Sequence, residues 1–193
     1  SRLLDLPLGM LVVSRSGAGK TALQDAICSL VPEEALIKYT RLTGQALFYK
    51  EQNGLKHKVL AIEEEDGMQQ ALYSIRTLAS AQRLTVATTR SDPKTGKLKT
   101  DEYTVKGPVF IMIATTKADS LDAETRSRFI ILTIDESREQ TQKIMEARKA
   151  AYTLEGRLKG REKKAFLGRF HAMQRLLKPI EVVNNFVIIY PLL

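Results

Sequence analysis

The segment Ser14-Arg15-Ser16-Gly17-Ala18-Gly19-Lys20-Thr21 combines two spaced glycines with a lysine and a terminal hydroxyl. Gly17 and Gly19 let the backbone wrap closely enough for several amides to face one anion. Lys20 supplies a mobile point charge for β- and γ-phosphates, and Thr21 offers a hydroxyl to Mg²⁺. Ser16, Gly17, Ala18, Gly19, Lys20 and Thr21 are therefore the candidate nucleotide-binding residues. Ser14 stands where such loops usually carry their first glycine. Serine is tolerated there as long as its φ stays negative.

Chemistry on a triphosphate also needs carboxylates. The apolar run Val59-Leu60-Ala61-Ile62 leads directly into Glu63-Glu64-Glu65-Asp66. Glu63, at a position usually held by Asp, is suited to orient Mg²⁺ through water, and Glu64 to polarise the attacking water. The longer Glu63 side chain leaves a second register open, in which Glu64 and Glu65 take these roles. Thr115 and Thr116 end another apolar run, Phe110 to Ala114. If that run lies between the loop strand and the acidic strand, Thr116 helps align the water. Arg128, in Ser127-Arg128-Phe129, is suited to reach a neighbouring subunit's γ-phosphate. Each feature has a plain alternative: an acidic loop, a strand-end hydroxyl, a surface arginine. Their common order behind the loop favours the functional reading.

The elements that must hold these residues follow from hydrophobic pattern. Met10–Val13 reads as a buried strand, and residues 21–30 as a helix with Ala22, Leu23, Ala26, Ile27 and Leu30 at apolar spacing. Val31-Pro32 ends it. Residues 35–40, 59–62, 109–114 and 129–134 are further strands, and 68–81 is a helix built on Leu72, Ile75, Leu78 and Ala79. Residues 84–89 and 98–105 are β-prone and flank Ser91-Asp92-Pro93-Lys94-Thr95-Gly96-Lys97, which has the chemistry of a hairpin tip. Residues 137–178 are helix-forming, with an expected interruption near Gly156 and Gly160. Strands alternating with helices predict an α/β fold around a mostly parallel sheet.

Composition sets the bounds. The chain has 193 residues, 44% apolar and 27% charged, enough for one sizeable core. No stretch has the apolar length that spans a bilayer, so no membrane association is expected. One cysteine, Cys28, points to a reducing compartment and to a small buried helix residue rather than a nucleophile. His57 and His171 lack ligand spacing. Tyr39, Phe48 and Tyr49 are expected to pack rather than bind a base, and Arg15 and Ser16 to point to solvent. The net charge of +8 is carried by residues 138–178, which hold 12 basic and 4 acidic residues. That stretch reads equally as a solvated surface helix or as a surface for a polyanion. The non-Met start and the apolar end, Val187 to Leu193, read as a fragment of a longer protein.

With these motifs in order, the chain resembles AAA+ ATPases: Ser14–Thr21 as Walker A, Val59–Glu64 as Walker B, Thr115-Thr116 as sensor 1 and Ser127-Arg128-Phe129 as the arginine-finger motif. The resemblance spans about residues 7–135. It implies a P-loop NTPase of AAA+ type: an αβα sandwich with a five-stranded parallel sheet, a β-hairpin insertion over 84–105 and a C-terminal helical segment. The core would occupy 1–136, and 137–193 would lead into a truncated lid. The resemblance further implies ATP and Mg²⁺ as cofactors and a homo-oligomeric ring with shared ATP sites.

The hairpin is similar to the pre-sensor-1 insertion of minichromosome-maintenance helicases, which touches DNA in the ring channel. Arg90, Lys94, Lys97 and Lys99 would then contact phosphates of single-stranded DNA without reading its sequence. Strings such as Thr43-Gly44-Gln45-Ala46-Leu47-Phe48-Tyr49 and Glu181-Val182-Val183-Asn184-Asn185 are similar to primase/helicase-like proteins of bacterial mobile elements. This resemblance implies a role in DNA replication and a bacterial cytoplasmic location. Arg169 and Arg175 are weak candidates for the lid arginine. A clamp-loader-like remodelling ATPase and a nucleotide-gated DNA-binding module with impaired hydrolysis are the alternatives.

Overall fold

The structure, a computed structural model, describes residues 2–43, 46–48, 50–63, 69–91, 98–116 and 123–179. Five parallel strands form the central sheet: β1 (Gly9–Val13), β2 (Leu36–Tyr39), β3 (Lys58–Glu63), β6 (Val109–Thr115) and β7 (Phe129–Thr133). Their order is β2-β3-β6-β1-β7. The expected five-stranded sheet is therefore present, with the hydroxyl-ending strand between the loop strand and the acidic strand. The register Met10↔Met112 and Ala61↔Met112 brings the three central strand ends level. β4 (Arg83–Ser91) and β5 (Leu98–Lys106) form a separate antiparallel hairpin.

Because successive side chains in a strand point to opposite faces, each apolar run fills two layers. Leu11, Leu60, Ile62, Ile111 and Ile113 share a core with Ala71, Leu72, Ile75 and Leu78 of α2 (Gln69–Ala81). Burying each of these leucines and isoleucines contributes about 1.5–3 kcal/mol. Leu84 and Val105, at the base of the hairpin, join the same core. On the other face, Ala61 and Met112 pack with Cys28 and Ile27 of α1 (Lys20–Cys28). Tyr39 and Phe48 pack against the first core as expected, and Tyr49 lies outside the described residues.

The apolar stripe expected on α1 is displaced. The buried residues are Lys20, Gln24 and Cys28, whereas Ala22 and Ala26 are exposed. Lys20 must face the loop carbonyls, and that fixes the phase of the helix. Residues four and eight positions on then face the sheet.

α3 (Ala123–Arg126) precedes β7, and α4 (Arg138–Ala151) and α5 (Leu154–Leu176) follow it. The helical break falls at Tyr152-Thr153, not at Gly156 or Gly160. Thr153 is a competent N-cap: its hydroxyl accepts a hydrogen bond from Gly156 N. A Cβ on Gly156 would lie 2.1 Å from Ala150 O, so glycine permits the close turn between the helices rather than interrupting one. No residue of α4 or α5 is buried. α5 is tethered at its far end, where His171 Nε2 donates to Ser29 O at 2.8 Å and Gln174 Nε2 to Leu30 O at 2.9 Å. Among the described residues, no helix is long and apolar enough to cross a membrane.

Candidate nucleotide-binding site

The chain leaves β1 at Val13 and re-enters regular structure at Lys20. Between them Gly17 and Gly19 adopt φ of +79° and +99°, the left-handed region that other residues occupy only with strain. No atom lies within 4 Å of where a Cβ would sit on either glycine. The loop therefore presents its backbone to open space, as a cradle for an anion requires. α1 opens directly from Gly19 and adds the positive end of its dipole.

Lys20 is 8% exposed, and its ammonium donates to Ser14 O at 2.9 Å and Arg15 O at 2.6 Å. It thus bridges the first carbonyls of its own loop. Thr21 is exposed in the first turn of α1. Ser14 N donates to Thr115 O at 3.4 Å, joining the loop to the end of β6. Thr115 is buried and Thr116, the next residue, is half-buried.

The loop forms one wall of a cleft of about 940 Å³. The opposite wall is α4, through Gln140, Thr141, Ile144, Met145 and Arg148. Leu23 and Ile134 add apolar surface at the sides. Its size and mixed lining suit a small polar ligand with an apolar part.

The two flanks of the loop end are both charged. Toward β7, the Glu136 carboxylate accepts from Ser14 Oγ and from Arg15 Nε, the latter at 2.6 Å. Those bonds hold the Glu136 carboxyl below its usual range, with Arg15 the larger cause and Ser14 the second. Arg15 is 83% exposed, as expected of a side chain pointing to solvent, and it is ion-paired with Glu136. Toward β2, Lys38 Nζ lies 2.5 Å from Asp25 Oδ1 and 2.6 Å from Glu63 Oε1. These contacts, first that to Asp25, raise the lysine's pKa. Between the flanks, buried Gln24 donates to Ile62 O at 3.2 Å and Met112 O at 3.4 Å.

A family comparison gives this geometry its place: the MTBMA_p00010 P-loop domain matches residues 1–178. The chain belongs to that P-loop domain family. No curated protein matches the chain. Membership and sheet order together show a P-loop NTPase fold, which suggests a nucleotide-binding role.

In this P-loop domain the structure brings Ser16, Gly17, Ala18, Gly19 and Lys20 to one loop, with Thr21, Glu63 and Thr116 on elements that converge at the same sheet edge. Glu64, Lys94 and Lys97 lie outside the described residues. Arg90 and Lys99 pair across the hairpin. Arg128 is not in the cleft. It precedes β7, at the opposite sheet edge from the loop, and its Nη2 donates to Glu124 Oε1 at 2.7 Å. Arg76 reaches the other oxygen of Glu124 at 3.2 Å. Arg175, weighed for the lid role, pairs with Glu34 beside the start of β2.

Thr21 offers one exposed hydroxyl, at the helix start, to a cation such as Mg²⁺. Glu63 is already engaged by Lys38, so any metal contact there is shared with a resident cation. Sequence reasoning missed Glu136, Lys38 and Gln24. Glu136 carried one usable signal: it follows a strand, and a strand beside β1 sets its end against the loop. That adjacency is a property of sheet order, which no local pattern contains.

Proposed function

We propose that this P-loop domain binds Mg²⁺–ATP and hydrolyses it as the motor of a DNA helicase or primase-helicase. The observation that carries the reading is Lys20: a nearly buried ammonium held on loop carbonyls beside an open, glycine-bent cradle. A cation so placed exchanges two carbonyl oxygens for phosphate oxygens without leaving the loop. The loop amides and the start of α1 orient the phosphates. Thr21, with help from Glu63, would hold Mg²⁺, which would supply charge neutralisation at the phosphates. Glu64 takes the proton of the attacking water and Thr116 aligns that water. Arg128, outside its own cleft, acts on a neighbour's site in a ring. The β4–β5 hairpin, with Arg90, Lys94, Lys97 and Lys99, engages single-stranded DNA through its phosphates.

Lys20→Ala is expected to weaken ATP binding roughly 100-fold and to abolish phosphate release, as loss of a desolvated charge partner does. Calorimetry with ATP and a phosphate-release assay with and without single-stranded DNA check this. Unchanged binding and turnover in the variant defeat the assignment.

The ion pair between Glu63 and Lys38 favours a second reading, a nucleotide-gated DNA-binding module. A carboxylate already neutralised by lysine is a weaker metal ligand. ATP binding without phosphate release, at high protein concentration and with DNA present, selects that reading.

A further inference from the structure

Lys20 is not the only cation on the loop. Arg15 lines the same cleft as Gly17, Ala18 and Gly19, and so does Glu136. Glu136 takes both the Arg15 guanidinium and the Ser14 hydroxyl. The carboxylate stands immediately before Ser137, the N-cap of α4, so it also ties the loop to the opposite wall. Ser14 is the residue that replaces the usual glycine, and its hydroxyl is used here.

The Arg15 pair is weak by placement. The arginine side chain is 83% exposed and the glutamate 27%. Exposed pairs of this kind are held by little and are screened by water. A polyphosphate in the cradle carries several negative charges close to the same guanidinium, and it competes with one carboxylate for a planar donor that suits phosphate equally well. The cleft thus holds a cation in reserve, neutralised by a group that repels an incoming anion.

We propose that Arg15 is a phosphate-contacting residue that Glu136 holds in the nucleotide-free state and hands to the nucleotide when a polyphosphate enters the cleft. Glu136 is then a positioning residue that limits nucleotide affinity. The inference rests on the nucleotide reading of the loop, and it makes a prediction opposite in sign to that of a purely structural clasp. A structural clasp, once removed, loosens the loop and weakens binding. A restraining clasp, once removed, tightens it.

The test is calorimetry of the whole chain with ATP, ADP and AMP in the presence of Mg²⁺. Glu136→Gln is expected to bind ATP about fivefold tighter than the wild type, the scale of one exposed ion pair. The gain should shrink from ATP to ADP to AMP, because it depends on phosphate charge. In an Arg15→Ala background the same Glu136→Gln change should lose most of that gain, because no guanidinium remains to be released. A Glu136→Gln chain that binds ATP no tighter overturns the proposal. So does one that keeps its full gain without Arg15, which would be simple removal of a negative charge. Lys20→Ala separates the two layers. If the wild type and Lys20→Ala bind ATP alike, the nucleotide reading itself fails. If Lys20→Ala is defective while Glu136→Gln is unchanged, only the hand-over fails.

Discussion

On the β7 side of the loop one carboxylate, Glu136, holds a hydroxyl and an arginine; on the β2 side one lysine, Lys38, holds two carboxylates. Each flank contains a position at which the chain leaves the usual P-loop pattern, Ser14 on the first and Glu63 on the second. Each departure is met by a partner that the pattern does not include. The flanks differ in what they border. Arg15 and Glu136 line the cleft, so a ligand can compete for them. Lys38 instead joins the edge strand β2 to the end of β3 and to α1, three elements whose relative placement it fixes. The first flank is built to exchange partners and the second to keep them.

The largest effect expected from testing this contrast lies at the divider between the flanks. Gln24 is fully buried, and its amide spans the carbonyls of Ile62 and Met112. Gln24→Ala removes both bonds and leaves a cavity, at a cost of about 2–3 kcal/mol. Gln24→Met keeps the volume and should cost less than about 1.5 kcal/mol. Urea unfolding of the two variants measures the difference. Equal losses would show that the amide's bonds, not its volume, hold α1 on the sheet.

Lys38→Met is next in size. It leaves Asp25 and Glu63 facing each other without their shared cation. Asp25 is 56% exposed, so solvent screens much of the repulsion, and the expected loss is about 1 kcal/mol. The same unfolding measurement on Glu136→Gln should show no resolvable shift. If Glu136→Gln destabilises the chain as much as Lys38→Met does, the distinction between an exchanging and a fixed flank is lost.

Much of this arrangement is legible in the sequence alone. Met10–Val13, the glycine-bent loop and Val59–Ile62 are local patterns, continuous apolar runs with turn chemistry or charge at their ends. Periodicity also found α2, because Leu72, Ile75 and Leu78 serve packing alone. It misjudged α1, because Lys20 answers to the loop and sets the helix phase before any apolar stripe can. It misplaced the break between α4 and α5, because a threonine cap outweighs a glycine that the close turn itself requires. The partners Glu136 and Lys38 come from strands adjacent in space but distant in sequence. Only the order β2-β3-β6-β1-β7 brings them to the loop end.

The smallest effect comes from a pair that serves as the control for Arg15 and Glu136. Arg175 Nε and Nη2 donate to the two oxygens of Glu34 at 2.6 and 3.1 Å. This is another exposed arginine–carboxylate pair, with side chains 52% and 58% exposed, beside the start of β2 and away from the cleft. The Arg175 bonds, with help from Glu34's own backbone N–H, lower the Glu34 pKa from 4.5 to about 2. A depressed carboxylate pKa favours the docked state above its ordinary value and stops doing so as pH falls through the shifted one. The tether of α5 to the core should therefore hold near neutrality and weaken progressively from about pH 4.5 to about pH 2. Carboxyl NMR titration should give Glu34 a midpoint well below an ordinary glutamate, and Arg175→Ala should return it to the ordinary range. Saturating ATP should leave this midpoint unmoved while shifting that of Glu136 upward, because the nucleotide draws off the arginine of one pair and not the other. A Glu34 midpoint that moves with ATP as far as that of Glu136 would mean that the two pairs respond to a change common to the whole domain, and that proximity to the cleft is not what makes the Arg15 pair exchangeable.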